Sequence, residues 1–435
     1  MTHFAVFAPP LRGHLAPLSV LAEELIGRGH QVTFVHQKDA RDLVDARGAS
    51  FGPIGEDQPS IDRWTGPMAR IRHALDLNGT MRRMEGFTTM FCAEAPALLH
   101  RLKVEAIISD QLEPAGGMVA DHLRLPFVSV ATALPMNREE TVPPPFVNWS
   151  YSASRHGVKR NMGGWNITDL LMRSVNANIA ANAKRLGISD RNRIEDCLSS
   201  LLQLAQIPRA LDFPRSRLPQ SFHYVGPFRR PSTGQSFLAA DSRPTAYATF
   251  GTLQGSRLSI FERLAAACDA LKIRLVIALG GPHRGKLPLL AGKPLVHEWV
   301  PQDLVMNEID LVLCHGGMNT TLDALASGLP LLVMPMAFEQ PGIAARVERS
   351  GAGLMASNRS QAMTFKKKIG RLLSERQFRK GALAMQGAIA ASGGTKRAAD
   401  LIERALSGAA PKGAATRARA ARRDARDDSR SESRS

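Results

Sequence analysis

Residues 297–340 read HEWVPQDLVMNEIDLVLCHGGMNTTLDALASGLPLLVMPMAFEQ. Within them, Leu311–Cys314 is a short apolar run that predicts a buried strand, and Leu331–Met334 predicts another. Between the two, His315-Gly-Gly-Met-Asn-Thr-Thr leads into a helix expected over Thr320–Ala326. Strand, glycine turn, helix and strand in that order form the repeating unit of a parallel sheet. Glycines let the backbone come close to a ligand, and the free amides of the helix N-terminus point beyond the strand, an arrangement suited to a phosphate or diphosphate. His315 can donate to a phosphate oxygen, and Asn319 and Thr320 add side-chain donors. The same letters also describe a plain glycine turn with Asn and Thr as helix caps.

Working outward, the alternation continues on both sides. Strand Ala246–Phe250, helix Ser259–Leu271, strand Arg274–Leu279 and strand Leu295–Trp299 precede the stretch. Nearer the start, Phe4–Ala8 predicts a strand. The helix after it has Leu18, Leu21, Ala22 and Leu25 on one face and Pro17 near its first turn. Gly29 stops that helix, and strands follow at Gln31–His36, Val104–Ile108 and Phe127–Val130, with a helix from Pro114 to Leu123. The fold class is α/β, two doubly wound parallel-sheet domains facing a cleft. A length of 435 residues exceeds what one core usually holds. The polar stretch RRPSTGQSFLAADSRP makes 229–244 the linker between a first domain, 1–228, and a second, 245–394.

Several function classes drop out. The first βα turn, Ala8-Pro-Pro-Leu-Arg-Gly-His14, has one glycine where a dinucleotide fold needs GxGxxG, and there is no GxxxxGK[ST]. His297–Glu298 opens like HExxH but meets Pro301 where the second His belongs. The four cysteines, Cys92, Cys197, Cys268 and Cys314, have no metal-ligand spacing and are expected to be reduced thiols. Residues 1–10 lack a basic n-region and a long apolar core, so no signal peptide is expected, and no apolar run has the length of a spanning helix. The formal charge of +17 points to an anionic partner. With 6% aromatics and none interleaved with basic runs, nucleic acid is not that partner. The segment 408–435 carries 8 Lys+Arg against 4 Asp+Glu with no apolar residue larger than Ala, and reads as a disordered basic tail.

The 297–340 segment resembles the donor-binding signature of the UDP-glycosyltransferases, a family of two-domain enzymes with the GT-B fold. The matched pattern is Trp299-x-Pro301-Gln302, His315-x-Gly317-x-Asn319-Thr320, Asp323, Gly328-x-Pro330, Pro335 and Glu339–Gln340. The resemblance implies that Trp299 stacks on uracil and Gln302 contacts the nucleoside. His315, Gly317, Asn319 and Thr320 would hold the diphosphate, Asp323 the ribose hydroxyls, and Glu339 and Gln340 the sugar. Asp323 departs from the family's usual Glu and is one methylene shorter; Thr320 stands where Ser is frequent. Gln340 is similar to the glucosyl-donor members, implying UDP-glucose. Thr249-Phe-Gly251-Thr252 resembles the family's Ser-Phe-Gly-Ser turn, which puts Thr252 near the diphosphate. Gly393-Gly-Thr395 opens what looks like the family's closing helix, 395–407, which crosses back onto the first domain.

An acceptor hydroxyl needs a base near its proton, and His is the common choice. Pro10-x-x-Gly13-His14-x-x-Pro17 puts His14 just after the first strand, at the sheet edge that faces a cleft. Asp110 follows Val104–Ile108 at the same edge and could hold the imidazole in one tautomer. As residues alone, His14 and Asp110 could equally be helix caps; the resemblance makes them the family's catalytic dyad. It implies an inverting, single in-line displacement that needs neither a cofactor nor a metal. The stretch Trp64–Phe91, with Met68, Met81, Met84, Phe87 and Met90, is a soft apolar set for a long hydrophobe, or ordinary helix core.

The opening residues, with Leu21-Ala-Glu-Glu-Leu25 and Arg28-Gly-His30-Gln-Val-Thr-Phe34, are similar to carotenoid-glucosylating members. That implies a hydroxylated carotenoid such as zeaxanthin as acceptor. It also implies a cytoplasmic enzyme that meets its substrate at the anionic inner face of the membrane. The competing expectations are sugar transfer to a macrolide or other natural product from a dTDP- or UDP-sugar, a GT-B-fold UDP-sugar epimerase, and an inactive binding module.

Overall fold

The computed structural model describes residues 1–58, 60–61, 77–231, 234–255, 257–283 and 287–409. Trp64 and Met68 of the expected acceptor stretch, and the tail from 410 onward, lie outside the described residues.

Two all-parallel sheets carry the chain. The first is β1 (His3–Phe7), β2 (Gln31–His36), β3 (Ser50–Pro53), β4 (Ala106–Asp110), β5 (Phe127–Ala131), β6 (Leu202–Ala205) and β7 (Phe222–Tyr224), in the order 3-2-1-4-5-6-7. The second is β8 (Thr245–Thr249), β9 (Arg274–Ala278), β10 (Leu295–His297), β11 (Leu311–Cys314), β12 (Leu331–Val333) and β13 (Gly353–Met355), in the order 10-9-8-11-12-13. Both orders turn back on themselves at the first strand of the half, which opens a crevice beyond the strands' C-terminal ends. At those ends Cys314 pairs with Thr249, and Asp110 pairs with Val130.

The helices that matter for the crevice are α1 (Arg12–Gly27), α2 (Leu77–Arg101) and α3 (Ala115–Leu123) in the first half. After α4 (Arg155–Leu171) and α5 (Arg173–Arg185), the second half contributes α6 (Gly251–Gln254), α7 (Leu258–Asp269), α8 (Gln302–Val305), α9 (Met318–Ala326) and α10 (Gln340–Arg349). Then come α11 (Ala362–Ser374), α12 (Arg376–Ala391) and α13 (Gly394–Ala409). Ala398, Ala399 and Ile402 of α13 are buried in the same cluster as Phe4, Leu18 and Leu25, so the last helix packs on the first half. Because α13 runs to Ala409, the first two residues of the expected tail are helical.

The halves share a core. Ala131, Leu134, Ala205, Ile207 and Leu211 from the first pack in one cluster with Tyr247, Val312, Met318 and Ile343 from the second. Beside it, the Arg346 guanidinium on α10 donates to buried Asp212 at 2.8 Å, and Arg215 and Tyr224 donate to the same carboxylate. Burial pushes the Asp212 carboxyl up, but Arg346 and Arg215 outweigh it and hold it below the usual range. Removing one partner of such a buried pair typically costs about 3–5 kcal/mol. The expected linker also ties both sides: Arg229 pairs with Asp323 in the second half, while Arg230 bonds Glu23 and Asp45 in the first, each at 2.8 Å.

Candidate functional site

His14 sits in the first turn of α1, inside the helix rather than in a loop before it. Its Nδ1 lies 2.9 Å from Asp110 Oδ2 and 2.8 Å from Thr132 Oγ1. Asp110 is the last residue of β4 and 0% exposed. Its Oδ2 also accepts from the Thr132 hydroxyl, and its Oδ1 accepts from the Leu112 amide at 2.8 Å. A carboxylate so placed accepts a hydrogen bond from Nδ1–H, which keeps the proton there and leaves the Nε2 lone pair as the basic one. Burial pulls the His14 imidazole down, but the charge and hydrogen bond of Asp110, with a smaller contribution from Glu339, hold it above its ordinary value.

Across the crevice, His315 follows β11, and its ring fills space that only glycines leave free. A Cβ on Gly317 would stand 2.7 Å from His315 Nε2, and one on Gly251 would stand 3.0 Å from His315 Cε1. Burial pushes His315 down to about 4, against a weaker pull from the Thr249 backbone, so the ring is neutral at physiological pH. Its Nδ1 is buried with no partner among the described residues. Thr252 lies on the short α6, and Gly317 is the N-cap of α9, whose first amides open toward the crevice.

The other expected donor contacts are held by protein groups. The Gln302 amide donates to Asp323 Oδ2 at 2.5 Å while its carbonyl accepts from Thr320 Oγ1 at 3.2 Å. Asp323 Oδ1 is taken by Arg229, so both carboxylate oxygens are engaged, and Asp323 does not line the cavity described below. Asn319 Nδ2 donates to the Gly13 carbonyl at 2.9 Å, across the crevice. That carbonyl is free because Pro17, four residues on, has no N–H to give it. Trp299 is 51% exposed, with the Arg12 guanidinium 5.7 Å from its ring centre. Gln340 Oε1 accepts from the amides of Met336 and Ala337, and Glu339 is pushed up by burial.

One cavity of about 440 Å³ joins these groups, within the usual range for small-molecule sites. His14 and Thr132 line one side, and Thr252, Trp299, Gln302, His315, Gly317, Asn319, Thr320, Glu339 and Gln340 the other. Met84, Phe87 and Leu112 add an apolar wall near His14. Sequence reasoning missed Thr132, Glu113, Arg12 and Arg229. The first two stand just beyond predicted strand ends, where a crevice-facing role could have been read. Nothing local marks the arginines. Among the described residues, no group of three or more His, Cys, Asp or Glu could hold a metal ion, and no helix is long and apolar enough to cross a membrane.

A family model described as erythromycin biosynthesis protein CIII-like, C-terminal domain, matches residues 262–403. Zeaxanthin glucosyltransferase of Pantoea ananas is 36% identical over 419 residues, covering 93% of this chain and 96% of that one. Its namesake from Pseudescherichia vulneris is 37% identical, covering 94% and 99%. Among solved structures, the glycosyltransferase of kitacinnamycin superposes with a TM-score of 0.75 at 23% identity, over 93% of this chain and 99% of that one. The calicheamicin glycosyltransferase CalG4 gives 0.72 at 22%, over 94% and 100%. Parallel sheets, crevice and sequence agree: the chain belongs to the GT-B glycosyltransferases.

Proposed function

We propose that the protein transfers glucose from UDP-glucose to a ring hydroxyl of a carotenoid such as zeaxanthin, giving a β-glucoside. The observation that carries this reading is a hydrogen-bonded His14–Asp110–Thr132 array opening into the same cavity as the His315 and Gly317 turn. His14 Nε2 takes the acceptor proton as the oxygen attacks the anomeric carbon, and Asp110 balances the imidazolium that forms. UDP leaves from the opposite face through an oxocarbenium-like transition state. Charge growing on the leaving diphosphate meets the α9 N-terminus, the Thr252 hydroxyl and the His315 ring. Trp299 offers a face for the base, and Glu339 and the Gln340 amide are placed for the sugar hydroxyls. The wall of Met84, Phe87 and Leu112 suits a long apolar acceptor, and two relatives over 35% identical bear the zeaxanthin glucosyltransferase name.

The match to an erythromycin-biosynthesis domain model favours a second reading, transfer of another nucleotide sugar to an antibiotic-type acceptor. Purified protein with UDP-glucose or dTDP-deoxysugars, each with zeaxanthin in anionic liposomes or with a macrolide aglycone, separates the two. The first reading expects a hexose mass added to zeaxanthin from UDP-glucose. Transfer only from a dTDP-sugar to the macrolide would replace it with the second. Turnover of UDP-glucose without any acceptor would instead point to an epimerase.

A further inference from the structure

Helix α4, Arg155–Leu171, reverses the usual amphipathic pattern. Buried on it are Gly157, Asn161, Gly164, Trp165 and Thr168. Met162, Ile167, Leu170 and Leu171 face solvent, each between 49% and 69% exposed. Among the described residues, no other element holds more than two exposed large apolar side chains. A surface helix ordinarily turns its apolar stripe to the core.

Specific contacts hold the helix in this orientation. A Cβ on Gly164 would stand 2.7 Å from Trp149 Cζ3, and one on Gly157 would stand 2.5 Å from the Ser152 carbonyl oxygen. Asn161 Nδ2 donates to the Glu140 carbonyl at 3.0 Å, and Trp165 Nε1 donates to the Val142 carbonyl at 3.2 Å. Rotating α4 to bury its leucines would break all four contacts. The exposed apolar face is therefore built in, unlike single apolar residues scattered over a surface.

The charge around that face matches an anionic lipid surface. Residues 155–185, which span α4 and α5, carry six Lys+Arg and one Asp+Glu. The one carboxylate, Asp169, is paired with Arg138 at 2.7 Å. Arg155 and Lys159 precede the apolar set and Arg173 follows it; all three are exposed, with no ion pair among the described residues. On a bilayer the apolar side chains enter the acyl boundary while the cations meet headgroup phosphates. No described helix is long and apolar enough to cross a membrane, so this contact is peripheral.

We propose that the exposed face of α4 docks the first half of the protein onto an anionic bilayer. This rests on the carotenoid reading, in which the acceptor is carried in lipid and not in water, and names the surface that meets it. Helix α5 begins one residue after α4, and its Asn178 and Asn182 donate to Thr89 of α2 at 3.0 and 3.1 Å. Helix α2 also carries Met84 and Phe87 of the cavity wall. The docked helix pair thus packs on the element that lines the acceptor side.

The test uses the full-length chain, wild type and the double variant Ile167→Ser, Leu170→Ser. Vesicles are phosphatidylcholine alone or with about one third phosphatidylglycerol. The wild type is expected to bind the anionic vesicles and release with added salt, and the double variant to bind about tenfold more weakly. Both side chains are exposed, so Tm and kcat/KM on detergent-dispersed zeaxanthin should match the wild type. On zeaxanthin carried in anionic vesicles, kcat/KM should fall about tenfold. The triple variant Arg155→Gln, Lys159→Gln, Arg173→Gln should lose most of the preference for anionic over neutral vesicles. Equal vesicle binding by the wild type and the serine variant overturns the proposal. So does a dimeric wild type and a monomeric serine variant with neither binding vesicles, which makes the face a contact between copies. In both cases product from detergent-dispersed zeaxanthin leaves the glucosyltransferase reading standing. Vesicle binding that is lost in the variant, with no product from zeaxanthin in any form, sustains the docking face and overturns the carotenoid reading.

Discussion

On the first-sheet wall of the crevice, His14, Asp110 and Thr132 already satisfy one another, with Asp110 buried and one imidazole nitrogen left over. On the second-sheet wall, His315 Nδ1 has no partner among the described residues, but several other groups expected to grip the nucleotide sugar are occupied by other parts of the chain. Arg229 holds Asp323, Gln302 holds Asp323 and Thr320, and Asn319 reaches across to Gly13. The difference follows from what each wall has to do. A base works only in one tautomer and orientation, so its partners must be fixed before the substrate arrives. Donor contacts act on a ligand that enters and leaves, and unpaired polar groups there would be costly in its absence. At Asp323, Gln302, Thr320 and Asn319 the chain covers that cost with internal substitutes.

The largest expected effect separates the walls. His14→Ala should lower kcat by about 10³-fold, the scale of a general base, while UDP binds within about twofold of the wild type. Loss of UDP affinity to the same extent would mean that the walls do not act independently. Asp110→Asn should cost about 10²-fold in kcat and also move the pH profile. Asp110 raises His14, and activity requires His14 deprotonated, so removing the charge shifts the acid limb of kcat/KM to lower pH. A limb that stays in place would assign it to another group.

Gly317→Ala probes the other wall. The backbone there is extended with a negative φ that any residue adopts, so the main consequence is a Cβ 2.7 Å from His315 Nε2 and a displaced ring. About a tenfold rise in the KM for UDP-glucose is expected, with a smaller change in kcat and an unchanged pH profile. The smallest effect sharpens the idea of internal substitutes. Arg229→Gln should free one oxygen of Asp323, the other staying with Gln302, and lower the donor KM by about threefold, in line with a partly exposed ion pair. A rise would make Arg229 part of the loaded site.

Much of this was legible in the chain because it is local. The strand at Leu311–Cys314 has the bounds expected, and His315, Gly317 and Asn319 follow it in one continuous run. His14 and Asp110 were legible as positions at strand ends, and only the resemblance paired them, since they lie 96 residues apart and meet when β1 pairs with β4. The strands Leu202–Ala205 and Gly353–Met355 escaped notice because each is four residues or fewer, one holding Gln203 and the other starting with glycine. Asp323 was read as a ribose contact from its place in the motif. Its pairing depends on Arg229 in a polar stretch that reads only as linker. Thr132, one residue past the end of β5, carries no mark until Asp110 is beside it.

The central claim is a single displacement, with the base on one wall and the leaving group on the other. The most direct test is the anomeric configuration of the product made from α-linked UDP-glucose, read from the proton coupling at the new glycosidic carbon. A β-glucoside is the result this geometry predicts. An α-glucoside would contradict it, because retention cannot arise from one in-line attack activated by His14.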